Sequence, residues 1–209
     1  MKKRSGKKAE AKPRTRVRAG RSTNAVILAG FMGAGKSSVG RALGQRLNWV
    51  FEDLDDRIER CEGRTIAEIF RDSGEAEFRR DEHDALKQSL DELRRGDARI
   101  IALGGGAFAQ EQNASLLRSS DVPTVFLDAS IEELWQRCSK QASESGTERP
   151  LLRSRESFRE LHESRQKHYR KASIRVDTGG RTVDSVAADI IRKLGLKKIE
   201  IRTEQGDVE

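Results

Sequence analysis

The chain has 209 residues, a size that suits one α/β domain with its own core, and its only cysteines, Cys61 and Cys138, lack metal-ligand spacing. There is no run of about 18 apolar residues, so no spanning helix is expected. No apolar stretch with a small-residue cleavage site follows the basic start, so a secretory signal is not expected either, and the cysteine usage suits a reducing cytoplasm. The net charge of +7 is local: residues 1–21 hold ten basic residues against Glu10 alone, a net of +9, and the other 31 basic and 33 acidic residues leave −2.

Residues 1–23 therefore read as a basic leader with too few apolar side chains to order itself. A polyanion-binding arm and an organellar targeting segment are the competing readings, the second weakened by the lack of an amphipathic apolar face. The near-neutral remainder carries no nucleic-acid footprint, and nucleic acid is not expected as a partner.

Residues 25–29, Ala-Val-Ile-Leu-Ala, form an apolar run of strand length that ends at a glycine. After a loop over 30–35, Val39, Ala42, Leu43 and Leu47 recur at helical spacing from Lys36 onward. Residues 49–51 read as a strand leading into Asp53-Leu54-Asp55. Two short helices at 57–61 and 66–70 are split by Gly63, with Thr65 as N-cap of the second. Residues 75–93 form a long charged helix, 99–103 a strand running into Gly104-Gly105-Gly106, and 123–127 another. Ser130 caps a helix over 131–141, with Glu132 and Glu133 in its first turn, where the dipole favours acids. Residues 141–148 read as a flexible polar loop, 154–169 as helix, 174–176 as strand and 183–194 as a closing helix.

Strands separated by helices predict a three-layer α/β/α domain over residues 24–195, with a five-stranded parallel sheet covered on both faces. Residues 196–209 form a polar tail, with 199–201 as a candidate edge strand. His83, His162 and His168 lie on charged helical stretches and read as surface residues.

Gly30-Phe31-Met32-Gly33-Ala34-Gly35-Lys36-Ser37 fits the phosphate-loop pattern G-x-x-x-x-G-K-[ST], between a predicted strand and a predicted helix. Glycines let backbone N–H groups surround a phosphate, and the helix presents its positive N-terminus. Gly33, Ala34, Gly35, Lys36, Ser37 and Ser38 are accordingly expected to hold the phosphates of ATP. Lys36 would reach the β- and γ-phosphates, and the Ser37 hydroxyl would ligate Mg²⁺.

The donor loop does not name the acceptor. Further along stand Asp53-Leu54-Asp55, Ile66-Ala67-Glu68-Ile69-Phe70, Gly74 with Phe78-Arg79-Arg80, the Gly104–Gly106 triplet, Arg149-Pro150-Leu151-Leu152, and Arg165 before Tyr169. In this order and spacing, from residue 23 to 194, the chain resembles the shikimate kinases. The resemblance implies the P-loop NTPase topology of the nucleoside monophosphate kinases. It also implies phosphorylation of the 3-hydroxyl of shikimate by ATP with Mg²⁺, in the route to chorismate and the aromatic amino acids. A monomer whose partners are only these small molecules, away from any membrane, is expected.

Carried over by residue, the resemblance makes Arg79 and Arg165 the forks for the shikimate carboxylate, a task for which planar guanidinium suits. Asp55 would hydrogen-bond the acceptor hydroxyls and is the candidate base for the attacking one; Asp53 would reach Mg²⁺ through water. Gly104, Gly105 and Gly106 would bring backbone to the substrate with no side chain in the way. Arg149 would be the lid arginine over the phosphates, and Lys36, Asp55 and Arg149 the catalytic set. Glu82 resembles the acid that orients Arg79, or is a surface ion pair; Arg137 resembles the arginine that stacks on adenine, or is a solvated helix residue. Two stretches depart from the pattern, a longer segment before Arg149 and a weak adenine loop at Gly179-Gly180-Arg181-Thr182-Val183. A kinase for another hydroxylated metabolite such as gluconate, and a non-catalytic effector-binding module of the same fold, are the alternatives.

Overall fold

The computed structural model describes residues 24–145 and 154–199. The basic leader, the stretch holding Arg149 and Pro150-Leu151-Leu152, and the chain from residue 200 lie outside the described residues.

The elements alternate as the sequence predicts: β1 (Ala25–Ala29), α1 (Lys36–Leu47), β2 (Val50–Asp53), α2 (Leu54–Glu62), α3 (Ile66–Asp72), α4 (Gly74–Arg94) and β3 (Arg99–Ala102). A short 3-10 turn at Ala107–Ala109 leads to α5 (Glu111–Ser119), then β4 (Thr124–Asp128), α6 (Ile131–Ser145), α7 (Arg155–Tyr169), β5 (Ile174–Asp177) and α8 (Val183–Leu194). The five strands pair in parallel in the order β2-β3-β1-β4-β5. Every residue of β1 and β4 is buried, as strands covered on both faces require.

Alternate residues of β2 identify the two covering layers. Phe51 faces α1, which approaches so closely that a Cβ at Gly40 would overlap the Phe51 ring and one at Gly44 would stand 3.0 Å from the Trp49 carbonyl. Glu52 faces the other way and accepts from Arg57 of α2 at 2.6 Å and from Arg99 of β3 at 3.0 Å. Glu92 of α4 closes that group by accepting from both arginines, at 2.7 and 2.5 Å. Helix α8 packs on α1, and on β4 the ring of Phe126 stacks on Tyr169 of α7, centroids 5.2 Å apart.

The structure departs from the sequence reading at several places. Helix α2 starts at Leu54 rather than at residue 57, because the Asp53 side chain accepts from the Asp55 N–H and caps it. Helix α5 and the turn before it escape the sequence reading. Helix α6 continues through residues 141–145, where a flexible loop is expected. His162 is buried, its ring meeting Phe31 edge-on at 5.2 Å, so it is no surface residue; His83 is only half-exposed and bonds Asn113 at 2.8 Å. Beyond α8, Leu196 is buried and Ile199 N–H donates to the Leu47 carbonyl at 2.9 Å. Among the described residues no helix is long and apolar enough to cross a membrane.

Candidate active site

The carboxyl ends of β1, β2 and β3 open on one cleft of about 1200 Å³, the place where open α/β sheets collect ligands. Its floor is the phosphate loop. The chain leaves β1 through Gly30, where a Cβ would stand 2.5 Å from the Leu127 carbonyl, and enters α1 through Gly35 in the left-handed region, φ 88°. Gly33, Ala34, Gly35, Lys36, Ser37 and Ser38 all line the cleft.

Lys36 Nζ lies along this loop, donating to the carbonyls of Gly30 at 2.9 Å and Phe31 at 3.2 Å. Burial pulls its pKa below the ordinary lysine value, against the opposing pull of Asp55 and Asp53. Ser37 Oγ donates to Asp53 Oδ2 at 2.6 Å. The other Asp53 oxygen caps α2, so one aspartate fixes the hydroxyl of the donor loop and the start of the helix that carries Asp55.

Asp55 Oδ1 is buried and has no hydrogen-bond partner among the described residues. Burial first, then the charge of Asp53, pushes the Asp55 carboxyl up to about 6, with Lys36 pulling the other way. Glu82 is also buried, its side chain 1% exposed. Its Oε2 accepts from Arg79 Nη1 at 2.9 Å, and burial raises its pKa in spite of that partner. The pair is thus no surface ion pair. Glu75 accepts from the other side of Arg79, at 3.0 Å from Nη2.

The glycine triplet explains why these groups converge. A Cβ at Gly104 would lie 2.5 Å from Asp55 Oδ1 and 3.0 Å from Glu82 Oε1; at Gly105, 3.4 Å from Arg165 Nη1; at Gly106, 2.8 Å from Arg79 Nη1. The three glycines are the surface on which the two carboxylates and two guanidiniums rest. Close by, the Tyr169 hydroxyl donates to the Gly105 carbonyl; burial pushes its pKa up, and the charge of Arg165 pulls the other way.

On the opposite side of the loop, Arg137 is half-buried and hydrogen-bonded on both of its terminal nitrogens. Nη1 donates to Thr178 Oγ1 at 3.1 Å and to the Gly33 carbonyl at 3.3 Å. Nη2 donates to Glu133 at 2.7 Å and to the Thr178 carbonyl at 2.8 Å. These bonds use the edge of the guanidinium and tie the loop after β5 to the phosphate loop. The structure thus brings Lys36, Ser37, Ser38, Asp53, Asp55, Arg79, the Gly104–Gly106 triplet, Arg137 and Arg165 to one cleft. Arg149 lies outside the described residues.

The sequence profile of the family described as shikimate kinase matches residues 32–195. A shikimate kinase of Cereibacter sphaeroides is 39% identical over 183 residues, covering 86% of this chain and 87% of its own length. One from Thermus thermophilus is 41% identical over 182 residues, covering 86% and 94%. The chain belongs to the shikimate kinase family. Among solved structures, a shikimate kinase from Acinetobacter baumannii in complex with shikimate superposes with a TM-score of 0.71 at 33% identity, over 81% of this chain and 92% of that one.

Within this shikimate kinase framework, sequence reasoning misses three contributors. Glu133 accepts from both Arg137 and the Gly180 N–H, the latter at 2.9 Å, yet reads in sequence only as a first-turn acid. Thr178 holds Arg137 through side chain and carbonyl. Phe31, an unspecified position of the loop pattern, lies under Arg165. Glu133 alone leaves a sequence signal, its i,i+4 spacing to Arg137.

Proposed function

We propose that this chain transfers the γ-phosphoryl group of ATP to the 3-hydroxyl of shikimate, giving shikimate 3-phosphate and ADP. The observation that carries this reading is the gathering of Arg79, Arg165 and Asp55 on the glycine triplet, across one cleft from Lys36. Two guanidiniums answer one carboxylate, and a carboxylate beside them answers a hydroxyl. The kinase of an uncharged polyol needs no such guanidinium pair, and an effector-binding module needs no Lys36, Ser37 and Asp53 together.

The phosphate loop and Lys36 hold the β- and γ-phosphates, and Arg79 and Arg165 hold the shikimate carboxylate so that the 3-hydroxyl faces the γ-phosphorus. Asp55 hydrogen-bonds that hydroxyl and takes its proton as the O–P bond forms. Arg137 presents the face of its guanidinium to adenine while its edge stays bonded. Arg149 closes over the phosphates as the lid arginine and keeps water from the phosphoryl group. A hydroxyl and a carboxylate 2.6 Å apart at Ser37 and Asp53 fit Mg²⁺, which takes few protein ligands and leaves its other positions to water and phosphate. When bound, Mg²⁺ neutralises charge on the β- and γ-phosphates. Residues 24–195 form the catalytic unit, between the basic leader and the tail, and the protein works as a cytoplasmic monomer.

The deciding experiment is a coupled ADP-release assay with shikimate and ATP–Mg²⁺, omitting each component in turn and replacing shikimate by gluconate, polyols and nucleoside monophosphates. ADP release that requires shikimate supports the reading; release with another acceptor in its place, or with none, overturns it. Sedimentation of the purified protein tests the monomer.

A further inference from the structure

The two acceptor arginines are held by different means. Arg79 is gripped by Glu82 and Glu75. Among the described residues Arg165 forms no ion pair, and its guanidinium carbon instead lies 5.8 Å from the centroid of the Phe31 ring. That is within the range in which the negative face of an aromatic ring attracts a cation.

Phe31 belongs to the phosphate loop, at a position the loop pattern leaves open, and it is buried. Its ring is set by α7: Phe158 meets it at 5.0 Å and His162 at 5.2 Å, with interplanar angles of 82° and 85°. Its backbone carbonyl accepts from Lys36 Nζ at 3.2 Å. One residue therefore touches the donor-side cation through its main chain and an acceptor-side cation through its side chain.

We propose that Phe31 is a positioning residue: its ring seats Arg165 for the acceptor carboxylate and ties that seat to the phosphate loop. The inference rests on the function proposed above. Its physical sense is in how a guanidinium is used. An acidic partner takes some of the N–H donors of a guanidinium, as Glu82 and Glu75 each do on Arg79, and leaves fewer for a carboxylate ligand. A ring beneath the plane attracts the cation without taking those donors. The seat lies on a loop whose other faces hold Lys36 and the start of α1, so the two substrate sites share a rigid part.

The test is Phe31→Leu, which keeps the carbonyl and an apolar side chain but removes the ring. Steady-state kinetics with shikimate and ATP–Mg²⁺ are measured for wild type, Phe31→Leu, Arg165→Ala and the double variant, with circular dichroism to confirm folding. Wild-type turnover of shikimate checks the functional reading separately from the variants; its absence removes the premise and the inference with it. The inference expects the shikimate KM of Phe31→Leu to rise about five- to twentyfold while the ATP KM stays within about twofold. In the Arg165→Ala background the same change should add less than about twofold, because the ring then has no cation to seat. An unchanged shikimate KM, an equal rise for ATP, or the same factor in both backgrounds overturns the proposal. Should Phe31→Leu not fold, Phe31→Met, whose unbranched thioether fills irregular space, takes its place with the same expectations.

Discussion

Asp55 is the side chain on which binding and chemistry separate. Asn in its place keeps the size and can still hydrogen-bond hydroxyls, but loses the charge and the basicity. With Asp55 as proton acceptor, kcat of Asp55→Asn should fall about 10²-fold or more while shikimate Kd changes little, measured by kinetics beside calorimetry. A raised Kd with kcat preserved would make it a substrate-positioning group only. The arginines predict the reverse pattern. Arg79→Ala or Arg165→Ala should weaken shikimate binding by about 2–4 kcal/mol, the usual loss when one partner of a desolvated ion pair is removed. ATP affinity without shikimate should hold; equal losses for both ligands would assign these residues to the nucleotide or the fold. At this scale much of the site is legible, because G-x-x-x-x-G-K-[ST] and the spaced acids and arginines are chemical signals. What is not legible is geometry: no pattern says that Glu82 is buried, that Phe31 underlies Arg165, or that the glycine triplet is packed against four side chains.

Helix α7 carries Arg165 into the cleft and buries Phe158, His162 and Tyr169. Burial holds the His162 pKa below its ordinary 6.5, with Asp128, Glu163 and Glu132 pulling weakly upward. A depressed folded-state pKa gives stability that is present above pH about 6.5 and lost as pH falls below it, since the unfolded chain takes the proton first. His162→Gln should therefore flatten the fall in thermal midpoint between about pH 7 and pH 5 relative to wild type. A parallel fall in both proteins would show that other groups set the acid limb. The strands and the long helices are legible because their periodicity is continuous. Helix α5 is not: it buries only Asn113, Ala114 and Leu117 and starts without a side-chain cap. The end of α6 misleads because Gln-Ala-Ser-Glu-Ser reads as loop composition; there Ser143 folds its hydroxyl back onto the Ser139 carbonyl at 3.0 Å.

Across the whole molecule, charge divides into a near-neutral body and a basic leader. Every proposed site residue lies beyond residue 30. Deleting residues 1–20 should leave kcat and the thermal midpoint nearly unchanged; a midpoint drop of several degrees would show that the leader contributes to the folded body. The body itself places two carboxylate oxygens, Asp55 Oδ1 and Glu82 Oε1, against Gly104 with no hydrogen-bond partner among the described residues. With the Asp55 pKa near 6 instead of 3.8, its ionised form costs the native state on the order of 3 kcal/mol at neutral pH. The sign is that of a raised pKa: the penalty is absent below about pH 4 and complete above about pH 6. Heat resistance and turnover are thus opposed at Asp55. A library randomised at this position and selected at neutral pH for survival of heating alone should enrich neutral replacements, and the survivors should be catalytically poor. Sequencing such survivors would show whether the most fragile part of this protein is also the part that works; survivors that keep the acid would show that it is not.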